Sequence, residues 1–206
     1  MENVGIIEIF LLIYLLIWIS LLIEIVLFKH GNKFSIKMHE VFIKRQIQKF
    51  QYPPFKNLLK LWIANKFFLA SVTFISIIII PAVVFFFLLG IILISPVLAV
   101  IQGFTVGNII GDFKTKEMIW ALTVGLFEFG YWALSGALGV SVSLGYLLYE
   151  KSFLVSLSNC INDLSSVYWL PLAICIVFNA FGEVAGPIYL NIKSPVSLEM
   201  LSQGKY

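Results

Sequence analysis

The sequence predicts an all-α, polytopic membrane bundle of about five spans, one of them long and bent or broken, with an amphipathic cytoplasmic interfacial segment. Three observations carry the prediction. Of 206 residues, 60% are apolar and only 12% are charged, with a mean hydropathy of +0.99, where soluble domains run about 45–50% apolar and about 25% charged. The apolar residues gather into runs as long as the about 20 residues that cross a bilayer. The basic residues gather too: positions 29–66 hold nine of the fourteen Lys and Arg against one acid, Glu40. That stretch carries +8 and the remainder −5. Such a composition excludes a nucleic-acid-binding protein, a disordered chain and a soluble enzyme, and leaves a single membrane domain over residues 1–206.

The first apolar run, 4–28, opens with Met-Glu-Asn and lacks a basic leader or a small-residue cleavage pattern, so it reads as a retained helix. The basic stretch follows directly and, by the positive-inside bias, is cytoplasmic, with the N-terminus outside. Pro53-Pro54 divides it. After the prolines, Phe55, Leu58, Leu59 and Trp62 share one helical face while Lys56 and Lys60 lie opposite, the pattern of a helix lying in the interface. Before them, Ile36, Ile43, Ile47 and Phe50 recur among Lys44, Arg45 and Lys49. These basic residues are the expected contacts for anionic lipid headgroups or a partner, each worth about 1 kcal/mol near a charged surface.

From Phe67 to Gly111 the chain is apolar for about two crossings and must turn back. Glycine and proline place the turn between Gly90 and Pro96, with spans at 67–89 and 95–111, and Pro81 predicts a kink in the first. A short polar loop follows at Asp112–Glu117. The next run, 118–149, is about 48 Å long as a straight helix, more than one crossing needs, and a hinge is expected near Gly125–Gly130. Residues 150–167 read as an outer loop or surface helix, and a last span covers 168–190. Lys193 and Lys205 then put the C-terminus inside.

Small residues recur every fourth position in three spans. Ala99, Gly103, Gly107 and Gly111 mark one face, Ser135, Gly139 and Ser143 a second, Gly182 and Gly186 a third. This spacing lets helix backbones approach closely where lipid offers no hydrophobic drive, either within one chain or between copies. Polar side chains at membrane depth form a second set: Gln102, Asn108, Glu128, Asn179 and Glu183. A carboxylate in hydrocarbon must face protein or a wet cavity, and Asn179 and Glu183, four apart, share a helix face. Glu8 and Glu24, near the ends of the first span, are expected to reach the interfaces and carry no assigned role.

Catalytic signatures are missing. His39-Glu40 begins like a metalloprotease motif, but position 43 is Ile rather than His. Ser135 has no catalytic partner, because both histidines lie early in the chain. Cys160 and Cys175 lack zinc-ligand spacing and are too few for a disulfide framework. No metal, haem or nucleotide is expected.

The order of several features resembles the stage II sporulation protein M family of bacterial and archaeal membrane proteins over about residues 60–190. These are Asn65 before an apolar hairpin, Gln102-Gly103 with Gly107, Gly125-Leu-Phe-Glu128 leading into Ala133-Leu-Ser-Gly-Ala-Leu-Gly139, and Ala180-Phe-Gly-Glu183. The family usually has Asn-Gly where this chain has Gln102-Gly103, His at Val124 and Leu-Pro at Phe129-Gly130. What the resemblance implies is a scaffold without catalytic residues, with Glu128 and Glu183 at the polar centre of the bundle. The functional expectation is therefore a non-enzymatic membrane scaffold or complex subunit. It would assemble through glycine-rich faces and the basic segment, as a homo-oligomer or as part of a larger complex, without nucleic acid. The alternative is a permease or channel subunit with a polar cavity at Glu128 and Glu183.

Overall fold

In hydrocarbon the backbone finds no water to bond, so a chain this apolar must satisfy its N–H and C=O groups internally, and helices do so within each segment. The computed structural model describes residues 5–49, 52–148 and 152–189, and every regular element among them is helical. The helices are α1 (Ile6–Lys29), α2 (Lys33–Lys49), α3 (Pro53–Ile63), α4 (Phe67–Phe74), α5 (Ile80–Ile91), α6 (Ser95–Gly111), α7 (Thr115–Leu148), α8 (Phe153–Asp163) and α9 (Trp169–Tyr189). One wide turn of π-helix, Ile75–Ile79, joins α4 to α5, and another, Leu164–Tyr168, joins α8 to α9. Four continuous helices are long and apolar enough to cross a membrane: Ile6–Lys29, Phe67–Ile91, Thr115–Leu148 and Phe153–Gly186. Ser95–Gly111 is a shorter apolar helix. The chain is thus a membrane-embedded helical protein.

Both π turns have a proline as their physical reason. A proline at position i has no N–H for the carbonyl at i−4, and its ring collides with that carbonyl. Counting back four from Pro81 reaches Ile77, and from Pro171 reaches Val167, each inside a π turn. Widening the turn absorbs the misfit, and the helix continues. Residues 153–167, which the sequence assigns to an outer loop or surface helix, are for this reason the first part of one continuous helix. Glu150 and Lys151, placed in the same loop, lie outside the described residues.

One further expectation is corrected. Helix α7 runs unbroken from Thr115 to Leu148, through Gly125 and Gly130 where a hinge was predicted. Packing holds it there: Phe129 to Val140, twelve consecutive residues, are all buried. The hairpin turn lies where the sequence places it, between Gly90 and Pro96. The turn falls at Ile92–Ile94, where Leu93 takes the left-handed conformation (φ 57°) and Ile94 N–H reaches back to the Leu89 carbonyl. Helices α1 and α3 end in the same way, at Gly31 (φ 73°) and Asn65 (φ 53°), with Asn32 N–H on the Leu27 carbonyl and Lys66 N–H on the Leu61 carbonyl. These bonds satisfy carbonyls that a helix end would otherwise leave orphaned.

Helices α1 and α6 lie side by side and parallel. A Cβ at Gly107 would stand 3.0 Å from Leu21 Cα, one at Gly111 2.8 Å from the Phe28 ring, and one at Gly103 would strike the Ile17 carbonyl. The Ala99, Gly103, Gly107 and Gly111 face is therefore occupied within the chain, by α1. Helices α5 and α7, also parallel, cross where Gly90 meets Gly139: a Cβ on Gly139 would lie 2.9 Å from Gly90 Cα. Ser135 and Ser143, one turn either side of Gly139, donate their hydroxyls to the carbonyls of Val83 and Ile91. Helix α9 runs antiparallel to α7, with Gly182 against Val124, Gly186 against Trp120 and Cys175 against Gly130, and Phe127 stacked on Phe178 at 5.0 Å. Helix α3 buries Leu58, Leu59 and Trp62, with Trp62 facing Phe74 of α4, and leaves Lys56 and Lys60 exposed.

Candidate functional site

The membrane-depth polar residues divide into two groups, and the first centres on Asn108. Helix α1 buries the stripe Ile9, Ile13, Ile17, Ser20, Leu21 and Glu24, so the i, i+4 periodicity that buries the isoleucines carries Glu24 inward with them. Glu24 is 5% exposed, so near the end of the first span it faces protein rather than the surroundings. Across the glycine face, Asn108 donates from Nδ2 to Glu24 Oε1 at 2.6 Å and to the Ser35 carbonyl at 2.8 Å. Its own carbonyl lies 3.3 Å from His39 Nδ1. The other ring nitrogen of His39 stands 3.8 Å from Asp112 Oδ2, and the Phe28 ring packs on the imidazole at 5.0 Å.

Glu24, Ser35, His39 and Asn108, from three helices, thus meet with Asp112 at one end of the α1–α6 pair, and the meeting fastens α2 to the bundle. Helix α2 begins at Asn32, whose Oδ1 accepts from the N–H groups of Phe34 and Ser35, a side-chain cap for a terminus with orphaned donors. It turns Ser35, Met38, His39 and Phe42 inward, while Ile36 is exposed. That i, i+3, i+4, i+7 face differs from the Ile36 and Ile43 stripe that the sequence suggests. The side chain of Ile47 and all of Phe50 lie outside the described residues, as does the side chain of Lys49. Lys37, Lys44 and Arg45 point away from the bundle and are exposed.

The second group lies between α7 and α9. The antiparallel register places Glu128, Asn179 and Glu183 within two turns of one another, and the Tyr131 hydroxyl is within electrostatic reach of Glu128, Glu183 and Cys175. Asn179 is 1% exposed, and neither end of its side-chain amide meets a hydrogen-bond partner. Gln102, half-buried on α6, precedes Asn108 by six residues and so points from a different face of the helix. Among the described residues no three His, Cys, Asp or Glu side chains gather as a metal ion requires.

Glu24, Ser35, His39 and Asp112 were not singled out in the sequence as a group. The one available signal was Glu24 falling on the same face as Ile13, Ile17 and Ser20. Comparison with protein-family models, with curated proteins and with solved structures finds no match.

Proposed function

We propose that the chain is a non-enzymatic integral membrane scaffold or complex subunit with five spans, its N-terminus outside and its C-terminus cytoplasmic. Five crossings are supported by the alternating directions of α1, α4–α5, α6, α7 and α8–α9. At 17 residues, α6 matches the short end of the about 17–25 that cross a bilayer. Lys193 and Lys205, which the orientation also invokes, lie outside the described residues.

The observation that carries the reading is the clamp of Asn108 on Glu24 and the Ser35 carbonyl. It fastens a basic helix to the rigid bundle with Lys37, Lys44 and Arg45 turned outward, the arrangement of a docking platform for anionic lipid headgroups or an acidic partner. Lys56 and Lys60, exposed on α3, add further basic charge. The glycine faces on α6 and α7 are engaged inside the chain, so assembly with partners or with further copies uses the basic segment and the outer faces of the helices. The resemblance to the stage II sporulation protein M family rests on its motifs and points to the same class of role.

Gentle detergent extraction followed by native mass spectrometry tests this. Discrete partners at fixed ratio are the expected result, released by Lys44→Glu with Arg45→Glu and retained in Glu128→Gln. Partners lost only in the Glu128 variant would overturn it.

One observation favours a second reading, a permease or channel subunit: the buried amide of Asn179, without a protein partner, one turn from Glu183. A water-filled crevice would let an aqueous maleimide modify Asn179→Cys in a chain whose two cysteines are alanine. An unmodified thiol would exclude that crevice.

A further inference from the structure

A cavity of about 390 Å³ opens between α1, α2 and α6 beside the Asn108 clamp. Its walls are Leu27, Phe34, Phe42 and Phe104, and its polar lining includes Glu24 and Ser35. Phe34, at 72% exposure, stands at the rim of this half-open, mainly apolar pocket. Glu24 lies five residues, about 7.5 Å along the helix, before Lys29, close to headgroup depth.

The polar atoms here are a mismatched set. Glu24 has one oxygen held by Asn108 and no Lys or Arg paired with it among the described residues, yet a buried carboxylate needs a countercharge or further donors. Ser35 Oγ and Asn108 Oδ1 are both buried and meet no hydrogen-bond partner. Of these groups Glu24 and Ser35 line the cavity, and a carboxyl oxygen beside a hydroxyl matches a cation with several N–H donors. A primary ammonium has three donors and one positive charge. Lys33 and Lys37, exposed on the same helix as the lining residues, match an anionic group beyond it. The aromatic walls match an acyl chain.

We propose that this cavity binds a zwitterionic membrane lipid with a primary ammonium headgroup, of the phosphatidylethanolamine class, its ammonium on Glu24 and Ser35. A trimethylated choline headgroup has no N–H to give, and a glycerol headgroup brings no cation, so the site selects by chemistry rather than by size. The inference is independent of whether protein partners bind the basic surface.

The test is reconstitution of the full chain with equal parts of phosphatidylethanolamine, phosphatidylcholine and phosphatidylglycerol, then partial delipidation and native mass spectrometry of the lipid retained. Phosphatidylethanolamine should be retained about tenfold over phosphatidylcholine, the worth of one hydrogen bond to a charged group. Glu24→Gln should erase the preference. Phe104→Trp, which fills the apolar wall and leaves the clamp untouched, should lower retention by the same factor, and it decides the matter if the Gln variant fails to fold. Equal retention of the three lipids, preference for phosphatidylglycerol, an undiminished ethanolamine preference in folded Glu24→Gln, or undiminished retention in folded Phe104→Trp would overturn the proposal.

Discussion

Helix α7 meets α5 on one side and α9 on the other, with a glycine of its own at each contact, yet the two contacts are of different kinds. Toward α5, Gly139 touches backbone: a Cβ there would press on the Phe87 carbonyl and stand 2.9 Å from Gly90 Cα. Toward α9, Gly130 touches only the Cys175 side chain, its sulfur 2.8 Å from where a Cβ would be. A backbone cannot move aside without moving its helix, whereas a thiol rotates about one bond. The same residue type therefore marks a rigid crossing on one side and an adaptable contact on the other. The α1–α6 pair is of the first kind, with a polar clamp added at its end.

The sharpest way to break this contrast is Gly139→Leu. It should cost at least about 3 kcal/mol, at the upper end for overpacking, seen as loss of monodisperse protein on extraction and an early thermal transition in detergent. Tolerance of leucine there would mean that the α5–α7 crossing is not fixed by backbone contact. Next in size is Asn108→Leu, which strips a donor from the Glu24 carboxylate and another from the Ser35 carbonyl. About 2–3 kcal/mol should be lost, and limited proteolysis within residues 29–66 should speed up as α2 comes free. Unchanged proteolysis would show that Met38 and Phe42 hold α2 by themselves. The smallest effect belongs to Gly130→Ala. The helix gains up to about 1 kcal/mol of propensity while the Cys175 sulfur gives way, so the thermal midpoint should stay near that of the parent. A large drop would place α9 among the rigid crossings.

Much of this architecture was legible in the chain. Proline and glycine located the hairpin turn to within a few residues, and the amphipathic stripe of α3 named its buried face, because a helix packed on one side separates apolar from charged residues. The i+4 spacing of Gly103, Gly107 and Gly111 announced a close helix contact but could not say with which helix. The α7 hinge was read from Gly125 and Gly130 through glycine's low helix propensity, which about twelve consecutive buried positions override. The candidate site was half legible: Asn108, Glu128, Asn179 and Glu183 stood out as polar groups in apolar runs. Glu24 did not, since acids near span ends commonly reach the interface, and Ser35 and His39 sit in a segment that reads as loop or surface helix.

Composition, run length and charge clustering by themselves determined a helical membrane protein, the order of its elements and the basic character of residues 29–66, because those properties depend on each segment's own transfer into lipid. Which faces meet was decided only by the tertiary structure. In a soluble protein the buried face is the apolar one, but in a membrane the lipid-facing side is equally apolar: Leu11, Leu15, Ile19 and Leu22 of α1 are exposed while Ile13, Ile17 and Leu21 are buried. Hydropathy cannot tell them apart, and close fit and hydrogen bonding make the choice instead. Glu24 turned inward for that reason, because Asn108 stood across the glycine face to receive it.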